Sequence, residues 1–481
     1  MVQRRRLISV LLLVALGIGG LWYLQPWRPR VEVGGIKINP HAALDPNKNY
    51  TVVVWDWELP LLWSEITHAQ VVQDAVRACM AQYPNIRIEL VVKGWDESDQ
   101  AVHDALAGGN PPDVLGMPRG VRLLSQDYQI PLERFLTQDE LADLTTAAQR
   151  AVTHNQHIWA IPRWLNPTRW VIHTERWPTS PDPWAHESIP PVYTRQEWEE
   201  SLTEARTKNG SSGLALNILD PWFFYSLMVS ATGRTYLDHA GNPQWSEESI
   251  YQVAHMLQTW VKKGFIPKDV EAAARTRLGD YWSGSAIALA PTNSWLLHHL
   301  FQRSGMLDSP EAAPSSPALT QTTTAKLEEV QRSVMWTLPP LINNRMAVAA
   351  VVSGYGVFRQ AEYKGHDHTQ AAVTVARFLS RKLSAWEATQ LFAVPAYYSE
   401  IDAWITGSRL PEQDLYALLT WTEAAVAAPL EDHIARLEEQ IMLETALPRL
   451  IHVLQGTLTP EEFARELVAS PVSALAEFRG P

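Results

Sequence analysis

An alternation near the start of the sequence constrains this chain most, because strand-length apolar runs take turns with helical patterns. Tyr50-Thr51-Val52-Val53-Val54-Trp55 is rich in β-branched residues and apolar almost throughout, as in a strand buried on both faces. From Glu65 to Gln82 the residues Ile66, Ala69, Val72, Val76 and Met80 fall on one helical stripe, and Pro84 ends the pattern. Ile86 to Val92 alternates as a second strand. A short helical pattern with Val102 and Leu106 then meets Gly108-Gly109-Asn110-Pro111-Pro112-Asp113. Glycine can end a helix in the left-handed conformation, and proline cannot continue it. Asn110 to Pro112 therefore reads as a stiff polar corner, after which Val114, Leu115 and Met117 resume a strand. The order β-α-β-α-β begins a doubly wound α/β sheet, whose crevice lies at the carboxyl ends of its strands.

That geometry marks Trp57 and Glu58, which follow the first strand, and Arg119, which follows the third. An indole can stack on a ligand, a carboxylate can accept hydroxyl hydrogen bonds, and a guanidinium presents a fork of donors. The plainer alternatives are a loop packed on itself and a surface arginine. Asp56 and Glu58 lie two apart, which is too weak a pattern for a catalytic pair.

Twenty-one of 481 residues are tryptophan, a density that suggests indoles doing more than filling a core and raises a carbohydrate ligand. Net charge is −12, and all five charges in the first 30 residues are arginines, so the remainder is more acidic still. Such a balance argues against nucleic acid as partner. The single cysteine, Cys79, sits in a helical pattern and reads as a small buried hydrophobe. With one cysteine there is no internal disulfide and no CxxC site. No P-loop, GxSxG or HExxH occurs, and no cofactor is expected. His366-Asp367-His368 precedes a helical pattern and reads as a helix cap rather than a metal site.

Arg4-Arg5-Arg6 precede the uncharged run Leu7 to Leu24, which ends in Trp22-Tyr23. At about 1.5 Å per residue this nearly crosses a hydrocarbon core. Residues 1–25 are read as a retained signal-anchor, in preference to a cleaved signal peptide, with the arginines in the cytoplasm and the rest of the chain outside. Residues 26–48, mixed in charge and rich in proline and glycine, read as a tether. Further on, strands are expected at His157–Pro162, Trp170–His173, Gly213–Asn217, Ser285–Ala290, Val334–Leu338 and Ala347–Val352. Helices are expected from Thr137 to about Thr153, from Thr194, over Glu247–Lys263, over Gln370–Leu383 and Ala385–Leu391, and across most of Asp414–Phe478 with a break at Gly456 and Pro460. Ser304 to Thr324 reads as a surface loop.

Several stretches together resemble the extracellular solute-binding proteins of ABC importers, family 1, the maltose-binding-protein-like group. They are Thr51–Glu58, Gly108–Val114, Trp159-Ala160-Ile161-Pro162, Gly213–Leu216, Lys263–Pro267, Trp282–Ala288, Ser353-Gly354-Tyr355-Gly356, Phe378–Ser380 with Ala393–Ala396, and Leu454–Phe463. Their order along the chain, more than any one of them, carries the resemblance, which covers about Tyr50 to Phe478.

The resemblance implies a two-lobed periplasmic-binding-protein-like α/β fold of type II, each lobe a mainly parallel sheet flanked by helices, joined by hinge crossings. Lobe 1 would comprise 49–160 with 353–395, and lobe 2 164–350 with 398–478. The lobes would close on a sugar or oligosaccharide without chemistry. Arg119 matches the family's crevice position, Trp222 falls in a loop that contacts ligand in the family, and Trp295 matches its sugar-stacking tryptophan. Trp164 and Tyr355 lie at the crossings. The implied partners are a carbohydrate and an ABC permease, with the membrane reached through the N-terminal helix; a monomer is expected. Most Gram-positive members of the family carry a lipid on an N-terminal cysteine; this sequence has none there, and the anchor segment would replace it. A tethered ligand sensor or scaffold, and less readily a polysaccharide hydrolase, are the alternatives.

Overall fold

The computed structural model describes residues 30–59, 66–95, 97, 99–173, 176–177, 192–209, 213–216, 220–268, 286–292, 334–408, 410 and 412–478. The expected anchor, Trp282–Ser285, Trp295 and the Ser304–Thr324 loop lie outside these residues. Among the described residues no helix is long and apolar enough to cross a membrane.

The expected opening order is present: β1 (Tyr50–Trp57), α1 (His68–Gln82), β2 (Ile86–Lys93), α2 (Gln100–Ala107) and β3 (Val114–Met117). β2 and β3 flank β1, both parallel to it. Helix α1 starts later than expected. Thr67 caps it, with Gln70 completing a capping box. The buried face is consequently His68, Val72, Ala75, Val76 and Cys79, while Ile66 is exposed. Burial pushes the Cys79 thiol up to about 12, as befits an inert core cysteine.

Two long strands, β4 (Ile161–Pro167) and β9 (Val348–Val357), run side by side and antiparallel. β9 also pairs antiparallel with β3. A short strand, β10 (Val394–Pro395), joins β4, and β11 (Ala425–Ala427) joins the start of β9. This sheet is therefore mixed rather than mainly parallel. Its order is β10-β4-β9-β3-β1-β2, because β9 runs against both of its long neighbours. The second sheet is also mixed, in the order β6 (Gly213–Leu216), β7 (Ala286–Thr292), β5 (Arg169–His173), β8 (Val334–Thr337). Its only parallel pair among the described residues is β6 with β7.

Each sheet has its own apolar core. One core gathers Val52, Val54, Val114, Leu115 and the buried face of α5 (His366–Leu391). The other gathers α3 (Pro221–Thr232), α4 (Glu247–Lys262), α7 (Asp432–Ile441), α8 (Leu447–Gln455) and α9 (Pro460–Phe478). A third, smaller core sits at their junction: Trp164, Trp336, Val348, Leu391, Trp404 and the buried face of α6 (Glu412–Glu423). Helix α5 is continuous where two helices were expected. Its mid-helix serines face β4, Ser380 donating to the Pro162 carbonyl at 2.6 Å and Ser384 to that of Arg163 at 2.7 Å.

Residues 30–48 are not a free tether. Val31–Val33 and Ile36–Ile38 form a hairpin whose Val31, Val33 and Ile38 enter the first core. Arg359 holds it by donating to the carbonyls of Val33 and Gly34. Alternating apolar residues around Gly34-Gly35 carry this hairpin locally.

The corner after α2 is held by Asp113. Its buried carboxylate accepts from the Val53 amide at 2.9 Å, Gln360 Nε2 at 2.8 Å and Lys364 Nζ at 3.0 Å, and meets His368 Nε2 at 2.9 Å. Pro111 and Pro112 are buried with it, so of Asn110 to Pro112 only Asn110 is exposed. At Gly109, φ is +69°, and a Cβ would sit 2.9 Å from that of Ala361. The His366-Asp367-His368 triplet opens α5 without a side-chain cap; Asp367 accepts from Lys48 and Tyr50 instead.

A second buried hub lies where β1, β4, β9 and α5 meet. Arg163 Nη1 donates to Asp56 Oδ2 at 3.1 Å, Tyr355 Oη at 3.1 Å and Glu387 Oε1 at 2.9 Å, while its Nε donates to Ser353 Oγ at 3.2 Å. None of the Arg163, Asp56 and Glu387 side chains reaches solvent. Burial works against the guanidinium charge, but the Asp56 and Glu387 carboxylates outweigh it and raise the arginine above its ordinary value.

Arg163→Ala leaves two buried carboxylates uncompensated, and the expected loss is about 3–5 kcal/mol in urea unfolding; a loss under 1 kcal/mol contradicts the hub. For Asp113, burial alone would raise the carboxyl, but His368, the Val53 amide and Lys364 hold it below 3.8. A carboxyl depressed on folding contributes stability that is complete above its unfolded value and lost as pH falls through the folded one. Asp113→Asn is expected to cost about 3 kcal/mol at neutral pH. The gap to wild type should stay constant above pH 3.8 and narrow below it, as read from urea midpoints across pH.

Candidate functional site

The two cores face each other across a cleft of about 660 Å³, within the range of small-ligand sites. One wall carries Trp57, Trp95 and Arg119 from the ends of the opening strands; the other carries Trp222 and Tyr225 from α3 and Asp432, Arg436 and Glu439 from α7. The floor is the β4–β9 pair, through Trp164, Asn166, Pro167, and Ala349 to Val351.

Trp222 is the most accessible of these rings, 39% exposed. Asp220 caps α3 by accepting from the Trp222 amide at 2.9 Å, and Tyr225 meets the indole edge-on at 5.0 Å, so the ring is fixed before any ligand arrives. Burial pushes the Asp220 carboxyl above its ordinary value, its bond to that amide notwithstanding. Opposite, the Arg119 guanidinium lies over the Trp95 ring at 5.0 Å and reaches Asp99 Oδ1 at 3.5 Å. Its Nη2 donates to the Glu97 carbonyl at 3.2 Å, so stacking and two tethers hold the guanidinium at the cleft wall.

Trp57 lines the cleft but is nearly buried, and its indole N–H has no partner among the described residues. Its backbone amide donates to Asp56 Oδ1 at 2.9 Å, which ties the end of β1 to the Arg163 hub. Trp164 also reaches the cleft, yet its Nε1 donates to Glu387 Oε2 at 2.7 Å and the ring packs in the junction core. Glu58 and Tyr355 stand apart from the cleft lining. The Glu58 carboxylate accepts from the Ala69 amide at 2.9 Å, helping to cap α1. Tyr355 is fully buried; its hydroxyl donates to Asp56 Oδ2 at 2.5 Å. Trp295 lies outside the described residues. Thus Trp57, Arg119, Trp164 and Trp222 come together, while Glu58 and Tyr355 serve the framework.

Trp95, Tyr225, Asp432, Arg436 and Glu439 line the cleft without having been singled out from sequence. Trp95 follows β2, where the strand-end argument that marked Trp57 applies equally. Asp432, Arg436 and Glu439 share one face of α7, with an Asp432–Arg436 ion pair of 2.8 Å. In sequence that face resembles any solvated helix surface. Burial opposes the Arg122 charge just below them and lowers it; Asp432, Glu439 and Glu438 act in the other direction.

No family model matches the sequence, and no curated protein does. Solved structures do match it. The sugar-binding protein MalE from Xanthomonas citri aligns at a TM-score of 0.66 and 15% identity, over 89% of this chain and 98% of that one. The GacH receptor of Streptomyces glaucescens, whose structures include a complex with acarbose, aligns at 0.61 and 16%, over 89% and 99%. An ABC substrate-binding protein from Listeria monocytogenes in complex with cycloalternan aligns at 0.57 and 13%, over 89% and 100%. Identities this low speak for architecture, and they agree with the two mixed sheets, paired cores and intervening cleft: the chain has the two-lobed α/β fold of the solute-binding proteins of ABC importers.

Proposed function

We propose that this chain is the substrate-binding component of an ABC importer, capturing a sugar or oligosaccharide in the inter-lobe cleft without altering it. One observation carries the reading: a fixed, accessible indole, Trp222, faces an opposite wall of Trp57 and a stacked Arg119 across a cleft of about 660 Å³. A pyranose ring offers an apolar face for an indole and hydroxyls for charged groups at its rim. Arg119, Asp220, Asp432, Arg436 and Glu439 supply such groups.

The matched structures described as sugar-binding, acarbose-bound or cycloalternan-bound point the same way. In this proposal lobe 1 is 49–160 with 353–395 and lobe 2 is 164–350 with 398–478. The N-terminal segment 1–25 holds the folded part outside the cytoplasm, and an ABC permease receives the ligand. The ligand-binding set is Trp57, Arg119, Trp164 and Trp222, joined by Trp295, with Tyr355 and Glu58 acting through the framework.

The test is a tryptophan-fluorescence and thermal-shift screen of mono- and oligosaccharides. A true ligand raises the melting temperature by mass action. Trp222→Ala is expected to weaken that ligand roughly tenfold or more, about 1.4 kcal/mol, with the fold retained. A screen in which glycans give no response while a peptide or polyamine does removes the carbohydrate assignment.

A further inference from the structure

Outside the cleft, three side chains converge at the contact between the two cores. His154 Nε2 lies 2.7 Å from Glu431 Oε1, and His239 Nδ1 lies 2.7 Å from Glu431 Oε2. The imidazole centroids are 4.4 Å apart, and one ligand atom from each residue falls within 4.8 Å of the others. Each of the three comes from a different part of the fold. His154 sits on the hairpin Thr153–His154/His157–Ile158, rooted in the first core by Ile158 and Trp159. The hairpin turns through Asn155 and Gln156, both at positive φ (51° and 66°), a conformation that a glutamine rarely adopts. His239 sits on the turn after Tyr236 and Leu237, which belong to the second core. Glu431 lies between Leu430 of the first core and Ile434 of the second, immediately before α7.

From this geometry we infer a divalent transition-metal site, best suited to zinc, in which His154, His239 and Glu431 clamp the two lobes together. Two imidazoles and one carboxylate form a donor set that zinc takes readily, with a fourth position left to water. The side chains of His154 and Glu431 are close to buried, at 9% and 11% exposure, while that of His239 is 58% exposed and leaves an entry path. Tetrahedral zinc with bonds of about 2.0–2.1 Å spaces its ligand atoms about 3.3 Å apart. Each ring nitrogen now meets a different Glu431 oxygen at 2.7 Å, so loading needs those contacts to open by about half an ångström around the ion. Trp159 Nε1 donates to the His154 carbonyl at 3.3 Å and holds that segment, while Asn155 Nδ2, 2.8 Å from the same His154 Nε2, has to turn aside for an ion to bind. Because Glu431 directly precedes Asp432, the first residue of the helix that forms one cleft wall, an ion here would fix that wall against the lobe opposite.

The experiment titrates the full-length chain, metal-stripped, with Zn²⁺ alone against a chromophoric chelator and repeats the titration with Co²⁺ under visible spectroscopy. The expected result is one tight Zn²⁺ per chain and the intense visible band of four- or five-coordinate Co²⁺. Removing an outer-shell partner costs 10–100-fold in metal affinity, so loss of a ligand is expected to exceed about 100-fold. His239→Ala, on an exposed side chain, should lose that factor while keeping the metal-free melting temperature; Glu431→Gln should lose it too. Zinc should raise the melting temperature of wild type and not of His239→Ala. His452→Ala, a surface histidine elsewhere, should behave as wild type. No tight Zn²⁺, a pale octahedral Co²⁺ spectrum, or wild-type affinity in His239→Ala would each overturn the inference. None of these readouts depends on a sugar ligand, so failure here leaves the transport reading untouched, and the reverse holds.

Discussion

The ionic hub around Arg163 is the constraint on which the rest of the structure depends. A guanidinium and two carboxylates out of water would cost several kcal/mol each if left alone. They are tolerable only because each oxygen and nitrogen finds a partner drawn from a different element: Asp56 from β1, Ser353 and Tyr355 from β9, Glu387 from α5. His68 of α1 closes the set on Glu387 at 2.9 Å. Such a cluster cannot be half built, so the register of the two long strands, the docking of α5 and the end of β1 are fixed together. The cleft inherits that rigidity. Trp57 is the residue after Asp56, and Trp164 the one after Arg163; the Trp57 backbone amide and the Trp164 indole each donate to a hub carboxylate. At Gly116 a Cβ would collide with the Asp56 carboxylate, which leaves glycine as the residue β3 can place there.

What the chain reveals before folding follows from how local each cause is. The opening β-α-β-α-β order, the capping boxes at Thr137 and Thr194, and the break at Gly456 rest on neighbours within a few residues, and all are present. The Gly108–Val114 corner was legible as a stop, but Asp113 as its anchor was not. Its partners Gln360, Lys364 and His368 lie some 250 positions away, and nothing near Asp113 announces them. Tyr355 and Glu58 illustrate the same limit. A polar residue at a strand crossing or strand end can turn toward ligand or toward framework, and the choice belongs to groups distant in sequence. The mixed character of the sheets is likewise invisible locally, since strand direction is set by how the chain returns from the second lobe.

Two arginines flank the crossing between lobes, and the contrast between them says where the molecule can bend. Arg163 is compensated on every side. Arg169, also fully buried, donates through Nη1 to Asn166 Oδ1 at 2.9 Å and to the Pro167 carbonyl at 3.1 Å, and lies over the Trp336 ring at 4.4 Å. Its Nε and Nη2 find no partner among the described residues, and neither does Asp414 Oδ1. Burial pushes the guanidinium down to about 9 despite Asp414, and pushes the Asp414 carboxyl up to about 8 despite Arg169. Rotation about the crossing is least costly where the fewest compensated bonds must break. The side chains and carbonyls of residues 161–165 are stitched to Asp56, Ser353, Ser380, Ser384 and Glu387; residues 166–169 keep their strand pairing, with Thr168 N–H donating to the Ala349 carbonyl at 2.7 Å, but hold on by side chains only through one arginine nitrogen and a stacked ring. Rotation of the lobes, as the proposed function requires, would break the fewest side-chain bonds at Asn166 to Arg169. Asn166, Pro167 and Thr168 are also cleft lining. In the proposed reading a ligand resting on them would touch the segment about which the lobes rotate, so that closure and recognition would draw on the same few residues.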